Sequence, residues 1–128
     1  MPYSKPWVMV DQVIDYQPDD FIITKKCISS SDFFIQGHFP TQSIYPGVLL
    51  LEGFQQSCEI LMGLKRKEQF NLADVSLRLK SMVVPGDLVL FHVTADVATD
   101  AFTFICSGMR EDLEVVSAIL RYEPKEKE

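Results

Sequence analysis

A histidine and a glutamate, both able to carry a proton, lie close together in one apolar part of the sequence. His38 falls in Gly37-His38-Phe39-Pro40, where glycine and proline indicate a rigid loop. Glu52 lies between Leu51 and Gly53 in a run of mostly apolar residues. Because an unpaired carboxylate is costly to bury, natural sequences rarely keep one in such a run without a purpose. The pair predicts general acid–base catalysis; the alternatives are a structural loop histidine and an ordinary core or interface acid.

The same part of the sequence offers groups that bind an oxygen atom and orient a carboxyl group. Pro46 followed by Gly47 is typical of the first turn of a helix, where backbone N–H groups have no partner within the helix. A carbonyl oxygen that meets the N–H of Gly47 would gain a hydrogen bond and the favourable end of the helix dipole. Gln56 follows Glu52 by one helical turn, so its amide is predicted to orient the carboxyl group or a water molecule.

The pattern of apolar and polar residues predicts one long helix and six strands. From Gly47 to about Lys67 there is no proline and apolar residues occupy nearly every helical face, which is typical of a buried helix. Runs of β-branched and aromatic residues predict strands over residues 7–16, 21–28, 75–84, 88–97, 102–109 and 113–122. The tight turns between the last four strands predict an antiparallel meander. Since the sheet must bury the helix, we predict an α+β architecture with one long central helix wrapped by an antiparallel sheet.

Length and composition indicate one compact domain over residues 1–128, with a frayed tail from about residue 123. Hydrophobic residues make up 47% of the chain, which is enough for a core and excludes an intrinsically disordered segment. The chain has 12 basic and 18 acidic residues, which argues against a nucleic-acid binder because such proteins need a basic face. Glu52 and Glu59 interrupt the apolar stretch from Val48 to Leu64, so it is not predicted to span a membrane.

The N-terminal residues and the cysteines predict a cytoplasmic location. The short apolar run after Pro6 meets Asp11 too early for the apolar core of an export signal. Cys27, Cys58 and Cys106 are odd in number and have no metal-type or redox spacing. We interpret them as small core residues of a protein in a reducing compartment.

Several of these residues form an ordered set of motifs that resembles one enzyme family. Gly37-His38-Phe39-Pro40, Pro46-Gly47-Val48-Leu49, Glu52 and Gln56 resemble the signature of the FabZ-type 3-hydroxyacyl-[acyl-carrier-protein] dehydratases. The match extends to a first-strand motif and a third-strand motif with its turn, at Asp11, Arg78, Lys80 and Val84-Pro85-Gly86-Asp87. The resemblance runs from about Pro2 to Arg121 and implies the hot-dog fold of that family.

The resemblance implies the reversible dehydration of a 3-hydroxyacyl thioester on acyl carrier protein to a trans-2-enoyl thioester. It implies that His38 removes the proton at C2, that Glu52 protonates the departing 3-hydroxyl, and that the N–H of Gly47 holds the thioester carbonyl. Gln56 resembles the supporting glutamine of the family. The acyl chain is expected in an apolar tunnel along the helix, and its predicted walls are Phe39, Val48 and Leu51. No metal or organic cofactor is expected.

The resemblance also implies partner chains. The family builds each site at a dimer interface, with the histidine from one subunit and the glutamate from the other, and often assembles three dimers into a hexamer. A heterodimer with another hot-dog subunit is the alternative to the homodimer. Because the carrier protein is acidic, its docking requires a basic patch, for which the candidates are Lys65, Arg66, Lys67, Arg78 and Lys80. The alternative for the first three is that cations near the end of a helix stabilise its dipole.

Some positions depart from the family pattern. Tyr3-Ser4 replaces a His-Arg pair, Gly53-Phe54-Gln55 replaces a more alanine-rich stretch, and Val75 and Met82 stand where aspartate and proline are typical. A specialised lipid, polyene or polyketide pathway therefore stands beside primary fatty acid synthesis. Two other functions also stay open, a hot-dog acyl thioesterase and a non-catalytic acyl-binding subunit. The pairing of a loop histidine with a helical glutamate favours the dehydratase, because hydrolysis does not require that histidine.

Overall fold

The computed structural model describes residues 10–28, 47–63, 69–84, 86–98 and 101–125, which form one helix and one six-stranded sheet. The elements are α1 (Gly47–Met62), β1 (Gln12–Gln17), β2 (Phe21–Cys27), β3 (Phe70–Leu79), β4 (Leu88–Ala98), β5 (Ala101–Arg110) and β6 (Leu113–Pro124). All strand pairs are antiparallel, in the order β1-β2-β4-β5-β6-β3. The predicted α+β architecture is confirmed. No helix in the described part of the chain has the length and apolar character needed to cross a membrane.

The helix packs across the sheet on β2, β4 and β6, and the core lies between them. Along β4 the side chains of Val89, Phe91 and Val93 are buried, whereas Thr94 and Asp96 are exposed on the other face. This alternation follows from the two-residue period of a strand and packs one face of the sheet against the helix.

The predicted meander is wrong at its first strand. β4, β5 and β6 are consecutive neighbours, but β3 lies at the edge beside β6, and β4 pairs with β2 instead of with β3. The strand predicted over residues 75–84 lies at Phe70–Leu79. The residues after β3 do not form a tight hairpin, because the backbone N–H groups of Lys80 and Ser81 bind the carbonyl of Val115.

The connection from β3 to β4 is held by side chains. Arg110 donates hydrogen bonds to the carbonyl of Met82 at 2.7 Å and to Asp87 at 3.0 Å, and Asp87 also accepts the N–H of Val84 at 2.9 Å. Gly86, with a φ of 99°, takes the left-handed turn conformation that glycine favours. These contacts fix the path of the chain from β3 at the edge of the sheet to β4 in its middle.

The helix begins at Gly47 as predicted and ends at Met62, earlier than the predicted end near Lys67. Gly63 has a φ of 86°, and its N–H binds the carbonyls of Glu59 and Ile60, as in a glycine cap. A left-handed glycine directly after the last helical residue ends the helix, a signal that the apolar pattern alone had masked.

Two smaller expectations are also corrected. β6 extends to Pro124 and the N–H of Lys125 binds the carbonyl of Gln69, so residues 123–125 are paired with the chain around β3 instead of being frayed. Cys58 and Cys106 are buried as expected, but Cys27 is exposed because it lies at the end of β2 on the outer face of the sheet.

Candidate active site

Glu52 and Gln56 form a hydrogen-bonded pair on one face of α1. Gln56 donates from Nε2 to Oε1 of Glu52 at 3.2 Å. Gln56 is completely buried, whereas Glu52 is half-buried. The buried amide of Gln56 therefore holds one carboxyl oxygen of Glu52 from the core side. Because Glu52 is partly exposed, a ligand outside the core can still contact its carboxyl group. The predicted contact between these two side chains is confirmed.

A chain of buried hydroxyl groups ties this part of the helix to β2. Ser57 donates to the carbonyl of Gly53 at 2.8 Å, and its Oγ lies 2.8 Å from Oγ1 of Thr24. Because the Ser57 proton is used by Gly53, Thr24 must be the donor to Ser57. Both side chains are fully buried, so the two hydrogen bonds fix the distance between α1 and β2 close to Glu52.

Gly53 allows the helix to approach the sheet closely. A Cβ at this position would lie 2.7 Å from Cζ of Phe91, which is fully buried in β4. Phe91 also packs edge-on against Phe54, with ring centroids 5.1 Å apart. The departure from an alanine-rich stretch at residue 53 therefore has a physical reason, since the ring of Phe91 occupies the space that an alanine methyl would take.

Gly53→Ala is expected to lower the free energy of unfolding by up to roughly 2 kcal/mol. Alanine improves helix propensity by about 1 kcal/mol, but overpacking against a fixed aromatic ring costs about 1–3 kcal/mol. Urea denaturation measures the change. In the Phe91→Leu background, which makes room for the methyl, Gly53→Ala should cost less than it does in the wild type. A single variant more stable than wild type would contradict the predicted clash.

Two side chains in the core, Cys58 of α1 and Tyr122 of β6, are buried and are not suited to act as nucleophiles. Burial, and secondarily a hydrogen bond with Cys106, raise the pKa of the Cys58 thiol, so it stays protonated. Tyr122 is 4% exposed, and its hydroxyl has no hydrogen-bond partner among the described residues. Burial is the main cause that raises the pKa of Tyr122.

The structure brings some predicted site residues together. Gly47 is the first residue of α1, Val48 lies in its first turn, and Leu51 is partly buried against the core. Arg78 and Lys80 are exposed at the end of β3. The remaining predicted residues lie outside the described part of the chain: His38, Phe39, Lys65, Arg66 and Lys67.

Sequence reasoning missed the residues that support Glu52 from the sheet. Thr24 of β2 binds Ser57 of α1, and Phe91 of β4 lies against Gly53, but nothing in the local sequence of either strand indicates these contacts. One signal was available, because a glycine inside a helix is unfavourable unless close packing requires it. Gly53 could therefore have marked the point of closest approach.

Comparison with known proteins identifies relatives of this chain. The model of the FabA-like domain family matches residues 1–118. The 3-hydroxyacyl-[acyl-carrier-protein] dehydratase FabZ of Legionella pneumophila (strain Corby) is 37% identical over 100 residues, which cover 73% of this chain and 67% of that protein. FabZ of Escherichia coli O9:H4 (strain HS) is also 37% identical over 100 residues, with 73% and 66% covered.

Solved structures share the fold. The dehydratase heterocomplex ApeI:P from Xenorhabdus doucetiae matches with a TM-score of 0.77 and 17% identity, over 99% of this chain and 89% of that one. A hot-dog-like protein from Thermanaerovibrio acidaminovorans matches with a TM-score of 0.69 and 18% identity, over 84% and 82%. The predicted hot-dog fold is confirmed.

Proposed function

Since the chain belongs to the family of FabA-like domains, we propose that it is a hydro-lyase that converts 3-hydroxyacyl-[acyl-carrier-protein] to trans-2-enoyl-[acyl-carrier-protein] in fatty acid biosynthesis. The observation that carries the proposal is the Glu52–Gln56 pair on a helix that begins at Gly47. A half-buried carboxyl group with one oxygen held by a buried amide is suited to exchange a proton with a bound substrate. The relatives named as FabZ dehydratases support the same reaction.

The proposed reaction divides the proton transfers between two side chains. His38 takes the proton from C2 while the electron pair of the broken C–H bond forms the C2–C3 double bond. The C3–O bond breaks, and Glu52 gives its proton to the departing hydroxyl, which leaves as water. The backbone N–H of Gly47, at the start of α1, binds the thioester carbonyl as negative charge develops on its oxygen. Phe39, Val48 and Leu51 are proposed as walls for the acyl chain.

Mass spectrometry of a 3-hydroxyacyl-loaded acyl carrier protein tests the reaction directly. After incubation with the purified chain we expect the acyl group to lose one water, and we expect no loss with His38→Ala. Release of the free acid would instead identify a thioesterase. An unchanged substrate with several chain lengths would contradict the assignment and favour a non-catalytic acyl-binding subunit.

We also propose that two copies pair through β3. This strand is an edge of the sheet, and one of its two sides pairs with β6. Val75, Leu77 and Leu79, here called the β3 apolar row, lie opposite the buried residues of β6 and so face the helix side of the sheet. They remain 38%, 36% and 44% exposed because α1 packs on β2, β4 and β6. An apolar row beside an open edge favours an isologous dimer.

In a dimer of this kind, His38 of one copy is proposed to meet Glu52 of the other. The ApeI:P neighbour is a heterocomplex, so a different hot-dog subunit is the alternative partner, and a trimer of dimers is the larger assembly to test for. Light scattering of the purified chain distinguishes a self-sufficient dimer from a chain that needs a second protein.

The acidic carrier protein is proposed to dock on the basic residues Lys65, Arg66, Lys67, Arg78 and Lys80. Of the two that the structure describes, Lys80 is paired with Glu114, whereas Arg78 forms no ion pair with a described residue. A cytoplasmic location is proposed for the enzyme. The free thiols of Cys27, Cys58 and Cys106 support a reducing compartment.

A further inference from the structure

The outer face of the sheet, turned away from α1, carries a pocket that takes no part in the proposed proton transfers, although Arg78 in its lining is also a proposed docking residue. It has a volume of about 390 Å³ and is lined by residues of β3, β5 and β6. This size lies within the range of small-molecule sites. The sheet itself separates the pocket from Glu52, because the two lie on opposite faces.

Strand register explains which polar groups meet in the pocket. Arg78 of β3 lies opposite Ser117 of β6, which lies opposite Ser107 of β5. Neighbours across a sheet point to the same face, so a guanidinium and two hydroxyl groups form one row. All three line the pocket.

The next row on the same face is largely apolar. Ile105 of β5 lies opposite Ile119 of β6, and Ser76 of β3 follows at the edge. The two isoleucines are 55% and 50% exposed, although Cys106 and Ala118 beside them are buried on the helix side. The pocket therefore has an apolar wall beside a polar row.

Among the residues that the structure describes, the charges around the pocket leave one cation, Arg78, without a counterion. The carboxylate of Glu114 accepts hydrogen bonds from Lys80 and from Ser107, and these contacts, with Lys80 the larger, lower the pKa of Glu114. Glu114 thus stays ionised and is balanced by Lys80. Arg78 forms no hydrogen bond or ion pair with any described residue, so the lining together with Lys80, which pairs with Glu114, carries one net positive charge.

We propose that this pocket binds a small amphipathic carboxylate, with the carboxylate on the guanidinium of Arg78 and the alkyl chain across Ile105 and Ile119. A guanidinium fork matches the two oxygens of a carboxylate, and the hydroxyl of Ser117 lies next to Arg78 in the same row, whereas the proton of Ser107 is donated to Glu114. A single net charge favours a monoanion over a phosphate dianion. Pairing of β3 with a second copy would extend the sheet in its own plane and leave this face open.

Octanoate is the probe, titrated into the full chain while the methyl resonances of Ile105 and Ile119 are followed by NMR. We expect saturable shifts with octanoate and weaker binding of octanol, which lacks the charge, and of acetate, which lacks the chain. Arg78→Gln should raise the dissociation constant of octanoate at least about tenfold, which corresponds to about 1.4 kcal/mol. Arg121→Gln is the matched control, because Arg121 lies on the same face but is paired with Glu123 and Asp74, and it should leave binding unchanged.

Several results would overturn the proposal. Equal responses to octanol and octanoate would show an apolar surface without anion recognition, and the absence of saturation would show no site. If the wild-type chain did not bind octanoate and Arg78→Gln raised the KM for the loaded carrier protein, Arg78 would be a carrier-docking residue instead. Because octanoate binding is measured without turnover, failure of the dehydratase assignment does not decide this test.

Discussion

Glu52→Gln is expected to lower the rate of dehydration by about 10³-fold while the fold stays intact. Glutamine has the shape of the native side chain and can still accept the hydrogen bond that Gln56 donates at 3.2 Å. It cannot give a proton to the departing hydroxyl. The loss should therefore appear in kcat, measured with 3-hydroxyacyl-loaded carrier protein, and thermal unfolding should change little.

The matched control is Glu59→Gln, the same substitution two turns further along α1. Glu59 has no proposed part in the reaction, so turnover should remain close to wild type. Wild-type activity in Glu52→Gln would remove this carboxyl group from the mechanism. Equal losses in both variants would point to the helix as a whole instead of to one proton donor.

A mixing experiment tests whether two copies share the site. His38→Ala and Glu52→Gln are each expected to be inactive, but half of the dimers in an exchanged equal mixture contain one copy of each. One of the two sites in such a dimer would be intact, so about a quarter of wild-type activity should return. If no activity returned after subunit exchange, both groups would have to come from the same chain.

Leu77→Asp is expected to separate the dimer and with it to abolish turnover. Leu77 is the centre of the β3 apolar row, and a carboxylate there would be desolvated in the interface. Each buried carboxylate should weaken the dimer by roughly 2 kcal/mol. Because twofold symmetry places two of them in the interface, the dimer loses about 4 kcal/mol, which raises the dissociation constant about 10³-fold. Sedimentation at several concentrations measures the shift from dimer to monomer.

The opposite edge of the sheet supplies the control for this variant. Ile14 in β1 is 47% exposed, so Ile14→Asp introduces the same charge at a comparable site on the other edge strand. It should leave both the assembly and the activity unchanged. A monomeric Leu77→Asp variant with full turnover would mean that each copy contains a complete site.

The elements of the fold follow largely from local patterns, whereas their arrangement does not. Strand alternation and the Pro46-Gly47 start of the helix are visible in the sequence because periodicity and backbone constraints act over a few residues. The position of β3 beside β6 depends on pairing between distant residues, such as Leu77 with Ala118. A Pro-Gly turn signal before β4 gives no information about such a pairing, which is why the meander prediction failed at this strand.

The candidate site shows the same division. Glu52 and Gln56 could be paired from their spacing, because residues one helical turn apart are neighbours. The hydroxyl chain from Thr24 to Ser57 depends on how the helix crosses β2, and no periodicity specifies that crossing. The steric reason for Gly53 likewise becomes visible only when Phe91 is placed under it.

The buried phenol of Tyr122 gives the fold an alkaline limit. Burial holds the pKa of Tyr122 above the value near 10 of an exposed tyrosine, so the folded chain keeps the phenol neutral. Its contribution to stability is complete below the pKa of the unfolded residue and is lost as the pH rises above it, because the unfolded chain releases the proton more readily. Enzyme activity should therefore fall together with the folded state in that range.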